Sequence, residues 1–600
     1  MMYDCDVLII GAGPVGTTLA LELALHGVDF RVIEKHATRS NQSRALVVQP
    51  RTLELLNRHG AAEEIVSRGT RARGAALHVN RKFVSNVDFE DIGLLDTEFT
   101  LPLFVSQAET ERFLDDCLAK YGKAVERPCV AKSLLQDDDA VTTTVEHLGS
   151  NGNSTRTETI RSRYVVGCDG ANSFVRRSSE NLKFEGAAYP QDFILCDAHL
   201  RDSSLFPDRL NTCLGMYMLG VIPLGNDIYR FIVTGRNIAG SNSSSGANSE
   251  DAERASTGRP AVPQLEQFQA ALDELGPPGA GTIHDPIWQS RFYLHHRGVN
   301  SYRDRRLFLA GDAAHIHSPA GGQGMNTGMQ DAINLGWKLA AAISGKHLGV
   351  SDSEAILDSY HQERYPVGQQ LLHGTDRVFS LVAEVSPVIL RVRNFILPWV
   401  SPWLARSWTV RRWMFDFVSE LGISYRTSAS PLVGTGKSLL NGAGGGVVHG
   451  GDRLPDGGLI RLEKTQDADD QDGEKETRVQ KVCVGARYHL LLCSGKADGD
   501  VGASVSAIQD VREKVQSHVG ENGILETHSV FYFSGNPSTA GDIHALLSPS
   551  SGAWYLDRDG EVHGQLGFKE RCGYVLVRPD GYVAHIGLLA DVTELLGFLG

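Results

Sequence analysis

Asp312, Pro319 and a cluster of glycines stand between an apolar strand and a long amphipathic helix in LAGDAAHIHSPAGGQGMNTGMQDAINLGWKLA, Leu309 to Ala340. A carboxylate at a strand end accepts hydrogen bonds from hydroxyls. Ala313 and Ala314 leave room for a ligand backbone to pass. The helix is expected to begin near Met325, after Gly321 to Gly324. Its first N–H groups lack intrahelical partners and carry partial positive charge, which suits an electron-rich ligand edge. His315 is expected to be a strand-end histidine bonded to backbone, because histidine is more often scaffold than acid–base group.

A second constellation opens the chain. DVLIIGAGPVGTTLALELALHGVDFRVIE reads as strand, glycine turn, helix and strand. Gly11 permits the tight turn, Gly13 lets a pyrophosphate approach the backbone, and Gly16 lets helix and strand pack closely. Pro14 suits the first helical turn, and Gly27 falls where a helix ends. Glu34 closes the second strand at the spacing of a ribose-binding acid. With all elements in register, the pattern predicts an ADP moiety from FAD or NAD. A third stretch, YVVGCDGANSFVRR, repeats the strand–Asp-Gly–helix form, with Asp169 at the strand end and Ser173 as a cap.

These sites need a scaffold, and 600 residues provide one of about three domains. The net charge of -14 argues against nucleic acid as a partner, since phosphate binding needs a basic face. The nine cysteines are scattered, with no CxxC pair and no metal-ligand spacing, which is the usage of a reduced compartment. The strand DVLII follows Met1 almost at once, so a cytoplasmic chain without a signal peptide is expected. RNFILPWVSPWLARSW, Arg393 to Trp408, is too short and proline-broken to span a membrane. It is expected to pack in the core or at a subunit contact. GSNSSSGANSEDAERASTGRP and EKTQDADDQDGEKE read as solvated insertions. VGTGKS is no P-loop, because Pro431 stands where a Walker glycine is needed and no strand precedes it.

With GAGPVG and Glu34, CDGANSFVRR and LAGDAAHIHSPAGGQGMN in this order, residues 5–365 resemble the single-component flavoprotein aromatic hydroxylases. SPAGGQGMNTGMQDAINLGWKL is similar to the phenol hydroxylase and polyketide hydroxylase branches. The resemblance implies an α/β fold. A Rossmann-type FAD-binding domain (1–177 with 301–365) would carry an inserted mixed β-sheet substrate domain (178–300). A helical linker or dimer region (366–428) and a C-terminal thioredoxin-like α/β domain (429–600) would follow. That last domain lacks CxxC, and Cys483, Cys493 and Cys572 are isolated, so its role would be structural or dimer-supporting.

The resemblance further implies FAD as resident cofactor and NADH or NADPH as a transient reductant. It implies O2 as co-substrate and a flavin hydroperoxide as oxygen donor to a phenolic substrate. Cofactor contacts would come from Gly11, Gly13, Pro14, Val15, Gly16, Glu34, Lys35, Arg44, Gln107, Asp169, Asp312, Pro319, Gly322, Gly324, Met325 and Asn326. Pro319 matches the family proline whose carbonyl faces the substrate hydroxyl. Two positions depart from phenol hydroxylase itself. Leu46 stands at its acidic base, and its Arg-Phe-Tyr run reads Arg230-Phe231-Ile232 here. A bulkier, more acidic phenol such as a polyketide is therefore expected. Arg230, Tyr217 and Tyr293 are catalytic candidates, with His295 and His296 as further proton acceptors. A homodimer without a membrane span is expected. Epoxidation or Baeyer–Villiger oxygen insertion by the same flavin chemistry is the alternative. A non-catalytic GTPase-escort protein of related fold is disfavoured by the intact GDAAH and GMN runs, and no WxWxIP halogenase motif is present.

Overall fold

Runs of Val, Leu and Ile without polar interruption form strands buried on both faces. In the computed structural model, Cys5–Ile10 is such a strand, and Val7, Leu8 and Ile9 are fully buried. The structure describes residues 3–39, 45–149, 151–206, 209–235, 262–316, 321–350, 352–382, 386–436, 448–462, 474–496, 501–520, 523–533 and 553–600.

The first sheet runs in the order Arg303–Asp304, Leu307–Leu309, Ser154–Gly167, Cys5–Ile10, Phe30–Ile33. Its last four strands are parallel. The helices Pro14–Leu25 and Gly324–Ser344 pack on it and on each other. An antiparallel pair, Cys129–Gln136 and Val141–Leu148, extends the outer half of Ser154–Gly167. All three sequence motifs follow the C-terminal ends of parallel strands in this sheet, which is where open α/β sheets bind ligands.

The second sheet has eight strands, from His315–Ile316 through Thr282–Val299, Phe184–Arg201, Ile228–Gly235, Met218–Gly225, Leu210–Leu214 and Gly74–Val79 to Lys82–Asp88. A hairpin forms across PLGND, and Asn226 and Asp227 both take positive φ, the type I′ geometry that matches strand twist. Two strands, Gly74–Val79 and Lys82–Asp88, join this sheet from far upstream. One face packs on the Leu265–Leu275 helix through Ile194, Cys196, Phe231 and Val233. The alternate residues of the same strands face the other way.

The C-terminal sheet also has eight strands. Tyr488–Lys496, the helix Val501–Val519 and Leu525–Tyr532 make a parallel βαβ unit. The Gly573–Val577 and Val583–Leu588 hairpin and the helix Val592–Leu599 complete the thioredoxin-like arrangement. The expected linker region is helical, as Ser353–Val382, Pro387–Arg406 and Trp408–Ser419. Of the two settings expected for Arg393 to Trp408, core or subunit contact, the first is excluded for its tryptophans. Phe395, Trp399 and Trp403 are 73%, 78% and 70% exposed, so this segment does not pack into the chain's own core. They recur at helical spacing on one face, while the opposite face supplies buried Leu390, Arg393 and Asn394. No helix among the described residues is long and apolar enough to cross a membrane.

Candidate active site

The three motifs meet through their backbones. Gly11 has φ +101°, and a Cβ there would lie 2.8 Å from the Asp169 Cα. A Cβ on Gly16 would sit 1.9 Å from the Gly11 carbonyl oxygen. A Cβ on Gly328 would meet Val15 at 2.7 Å and the Gly311 Cα at 3.0 Å. Only hydrogen at these positions lets the Pro14–Leu25 and Gly324–Ser344 helices close on the strand ends. Gly13 differs, since a Cβ there would meet nothing within 4 Å. It faces open space, as the glycine expected beside a pyrophosphate must.

Glu34 sits just past its strand. Its Oε2 accepts from the Ala12 N–H and its Oε1 from the His36 N–H, each at 3.0 Å. The carboxylate thereby fixes the glycine loop, and its oxygens retain lone pairs for hydroxyls. Lys35 is exposed beside it. Pro14 is the first residue of its helix, and the Gly13 cap uses no side chain. Val15 fills the space between Gly311 and Gly328.

Asp169 accepts from the Phe174 and Val175 N–H groups through Oδ2 at 2.5 and 3.3 Å. Its Oδ1 is buried with no hydrogen-bond partner among the described residues. Burial pushes this carboxyl's pKa up. Ser173 caps the same short helix by accepting from the Arg176 N–H at 3.1 Å, as expected. Arg176 then donates to the Ala313 carbonyl at 2.8 Å and ties the second motif to the third. Asp312 is exposed on a turn whose neighbours Gly311, Ala313 and Ala314 are buried.

The long helix begins at Gly324, one residue before the expected start. The side chain of its N-cap residue, Gln323, makes no cap bond. Gln323 is drawn away and donates to the Phe417 carbonyl at 2.6 Å. Asn326 has a stitching role. It donates to the Val47 and Gly322 carbonyls, both at 2.8 Å, and accepts from the Gln49 N–H at 2.9 Å. Gly322 has φ +64° and packs on Val47, so the turn before the helix requires it. Met325 packs against the main core. Gln107 opens the helix Gln107–Lys120, where its Oε1 accepts from the Ala45 N–H at 3.2 Å and its Nε2 donates to Glu111 at 2.9 Å. Arg44 and Pro319 lie outside the described residues.

Beneath the first two turns of the long helix lies a buried polar cluster that sequence reading missed. Asp331 accepts from Arg364 at 2.7 Å and from the Gly311 N–H at 3.2 Å, and it bonds His315 Nε2 at 2.8 Å. His315 is thus scaffold, though bonded to a carboxylate rather than to backbone as expected. Glu420 accepts from Thr327 at 2.7 Å and from Gln330, and burial raises its pKa to about 8. The partners lie up to 93 residues apart, so no local motif announces them.

Against Ile222 of the second sheet, Leu46, Ala72 and Phe104 form a buried apolar cluster joined by Ile232. Both departures from the phenol hydroxylase pattern, Leu46 and Ile232, fall in this one wall. Arg230 sits beside it, opposite Ile222 in the ladder. It is 1% exposed and pairs with Asp197 through two bonds of 2.8 Å. Tyr217 donates to Glu274 at 2.7 Å, and burial with that carboxylate pushes its pKa up. Tyr293 and His295 lie in the Thr282–Val299 strand, opposite Asp192 and Ala188, and their side chains lie outside the described residues. His296 pairs with Ala187 in the same ladder.

Open space at Gly13, a buried Asp169 oxygen unpaired among the described residues, an exposed Asp312 and a helix N-terminus whose N-cap side chain makes no cap bond suit the pyrophosphate, hydroxyls and electron-rich ring edge of FAD. Residues 4–375 match the FAD binding domain family, and residues 504–600 match the phenol hydroxylase C-terminal dimerisation domain. The chain belongs to the FAD-dependent aromatic monooxygenases. It is 33% identical over 597 residues to a 6-methylpretetramide 4-monooxygenase of Streptomyces rimosus, covering 98% of this chain and 92% of the relative. It is 35% identical over 504 residues to an uncharacterized aromatic compound monooxygenase of Bacillus subtilis (strain 168), covering 84% and 88%. Among solved structures it is similar to the OxyS anhydrotetracycline hydroxylase of Streptomyces rimosus. The TM-score is 0.66 at 27% identity, with 99% of this chain and 98% of that one covered. The monooxygenase is therefore a flavoprotein oxidoreductase, with NAD(P)H and O2 as the co-substrates of its family.

Proposed function

We propose that this monooxygenase hydroxylates a bulky phenolic substrate of the polyketide kind. The observation that carries the reading is the apolar wall of Leu46, Phe104, Ile222 and Ile232. A small phenol needs a strong base beside it, and the carboxylate next to this wall, Asp197, is already held by Arg230 through two bonds. A larger, more acidic phenol needs less help with its proton and gains from apolar contact. Relatives named for 6-methylpretetramide and anhydrotetracycline support the same class.

Bound FAD would supply the redox chemistry, by which a hydride from NAD(P)H and O2 place one oxygen atom on the ring and release the other as water. The chain's own part is positional. In this reading Glu34 and the Gly11–Gly16 loop hold the ADP end, and Lys35, Gln107 and Asp169 flank it. Asp312 accepts ribityl or ribose-side hydroxyls. The N–H groups of Gly324, Met325 and Asn326 face the electron-rich ring edge. Arg44 and Pro319 keep the roles the family resemblance gives them. Arg230 and Tyr293 are the candidates for phenol contact. Tyr217 is the weakest base, because its hydroxyl already donates to Glu274. Residues 1–177 with 301–365 would hold FAD, 178–300 would cover the substrate, and 366–428 and 429–600 would brace the assembly. The match to a dimerisation domain supports a homodimer.

The test incubates FAD-loaded enzyme with NADH or NADPH, O2 and a panel of simple phenols and aromatic polyketides. Mass spectrometry should find one added oxygen on polyketides and little on phenol. Turnover confined to simple phenols would reject the substrate class.

A further inference from the structure

The strands Tyr488–Lys496 and Leu525–Tyr532 run parallel at the centre of the C-terminal sheet, with His489 opposite Glu526. Side chains alternate along a strand, so His528 shares the face of Glu526. The remainder of that face, Leu491, Cys493 and Val530, is apolar core. His489 and His528 are each 1% exposed, whereas Glu526 is exposed at the rim. Nδ1 of His489 and Nε2 of His528 lie 3.0 Å apart. One ligand atom from each of the three residues lies within 4.8 Å of the others.

Two imidazoles aimed at each other in an apolar core satisfy only one N–H···N bond. The other nitrogen of His528, Nδ1, is buried with no hydrogen-bond partner. A tetrahedral zinc site has Zn–N distances of about 2.0–2.1 Å, which sets neighbouring donors about 3.3 Å apart. The two ring nitrogens already stand within a few tenths of an ångström of that edge. A third donor comes from a carboxylate whose rim position gives an ion a path from solvent. Two imidazoles and one carboxylate are a set zinc accepts, with a fourth position left for water.

We propose that His489, His528 and Glu526 bind one zinc ion, which clasps the two central strands of the C-terminal sheet. The ion would replace the lone N–H···N bond with two metal–nitrogen bonds, and Glu526 would balance part of its charge. None of its three ligands belongs to the proposed flavin site, so the ion's role is to stiffen the sheet and not to react.

The test uses the full-length, FAD-loaded enzyme, dialysed against chelator and then titrated with ZnCl2 or CoCl2. One zinc per chain should remain after desalting. Cobalt should give the visible bands of a tetrahedral site. Zinc should raise the melting temperature of the wild type. Glu526→Gln, on the rim and harmless to packing, should weaken zinc binding at least tenfold. His489→Asn/His528→Asn should abolish it, with FAD content on the same samples reporting the fold. If the wild type holds zinc no more tightly than these variants, or cobalt stays octahedral, the histidines are only a hydrogen-bonded pair and the proposal is overturned.

Discussion

Asp312 is the exposed member of a buried turn, and that contrast is the reason to expect a ligand there. A ribityl contact to a charged acceptor is worth about 1.5–3 kcal/mol, or roughly ten- to hundredfold in affinity. Asp312→Ala should therefore purify largely without flavin, read by the absorbance ratio of the pure protein. Full flavin content would remove Asp312 from the site. Glu420 makes a second, pH-dependent prediction. Its pKa is raised to about 8, so the folded chain keeps a proton that the unfolded chain loses near the ordinary value of 4.5. Native stability from this group is whole below that ordinary value. It then falls as pH rises through the window up to about 8, by roughly 1.4 kcal/mol per unit. A half-rotation of Gln330 turns its buried, unpartnered Oε1 onto the protonated acid. Glu420→Gln should lack this slope, so thermal melts from pH 5 to 8 should favour the variant increasingly. Parallel curves would mean that Glu420 stays ionised. Glu34, Asp169 and Asp312 were legible in the sequence because each closes a strand inside a local motif. Glu420, Asp331 and Arg364 were not, because their meaning lies in partners from distant elements.

At the scale of elements, the parallel strands and the two long helices were legible because apolar runs and glycine turns are local signals. The positions of Gly74–Val79 and Lys82–Asp88 were not. Leu210–Leu214 pairs in parallel with Gly74–Val79 across more than a hundred intervening residues, and no alternation pattern encodes that choice. Whether the tryptophan face of Pro387–Arg406 turns to the core or outward was not legible for a similar reason, since periodicity shows an apolar stripe but not what covers it. The glycine contacts predict the cost of pushing elements apart. Gly328→Val would drive branched carbons into Val15 and Gly311, which a Cβ alone already approaches at 2.7 and 3.0 Å. The Gly324–Ser344 helix would have to shift away from the glycine loop, at a cost of about 1–3 kcal/mol. FAD retention should fall more than secondary structure, as seen by flavin absorbance against circular dichroism. A variant with full flavin and an unchanged melt would show that this close approach is dispensable.

At the scale of the molecule, the C-terminal domain is fastened to the FAD-binding region by charge buried at their seam. Arg578 donates to both oxygens of Glu363 at 2.8 Å and also bonds Asp580. Lys338 bonds Glu363 at 2.8 Å, and Trp337 Nε1 donates to Asp580 at 3.0 Å. Arg578, Lys338 and Glu363 are each 0–1% exposed. Trp337 and Lys338 lie on the same helix whose first turn is proposed to face the flavin, so the C-terminal domain braces that helix farther along. Well-packed apolar residues can replace a whole buried ion network at little cost, but removing one partner strands the others. Arg578→Met leaves Glu363 with one cation, Lys338, beside the neutral donors Asn334 and Ser430, and leaves Asp580 without its guanidinium. The expected loss is about 3–5 kcal/mol. If the brace also serves the site, the variant should release FAD at temperatures where its sheets remain folded. The decisive measurement follows flavin fluorescence and far-ultraviolet circular dichroism in one thermal ramp. Flavin release should precede unfolding in Arg578→Met and coincide with it in the wild type. Release and unfolding that stay together in the variant would mean that the seam stabilises the whole chain without holding the flavin helix in particular.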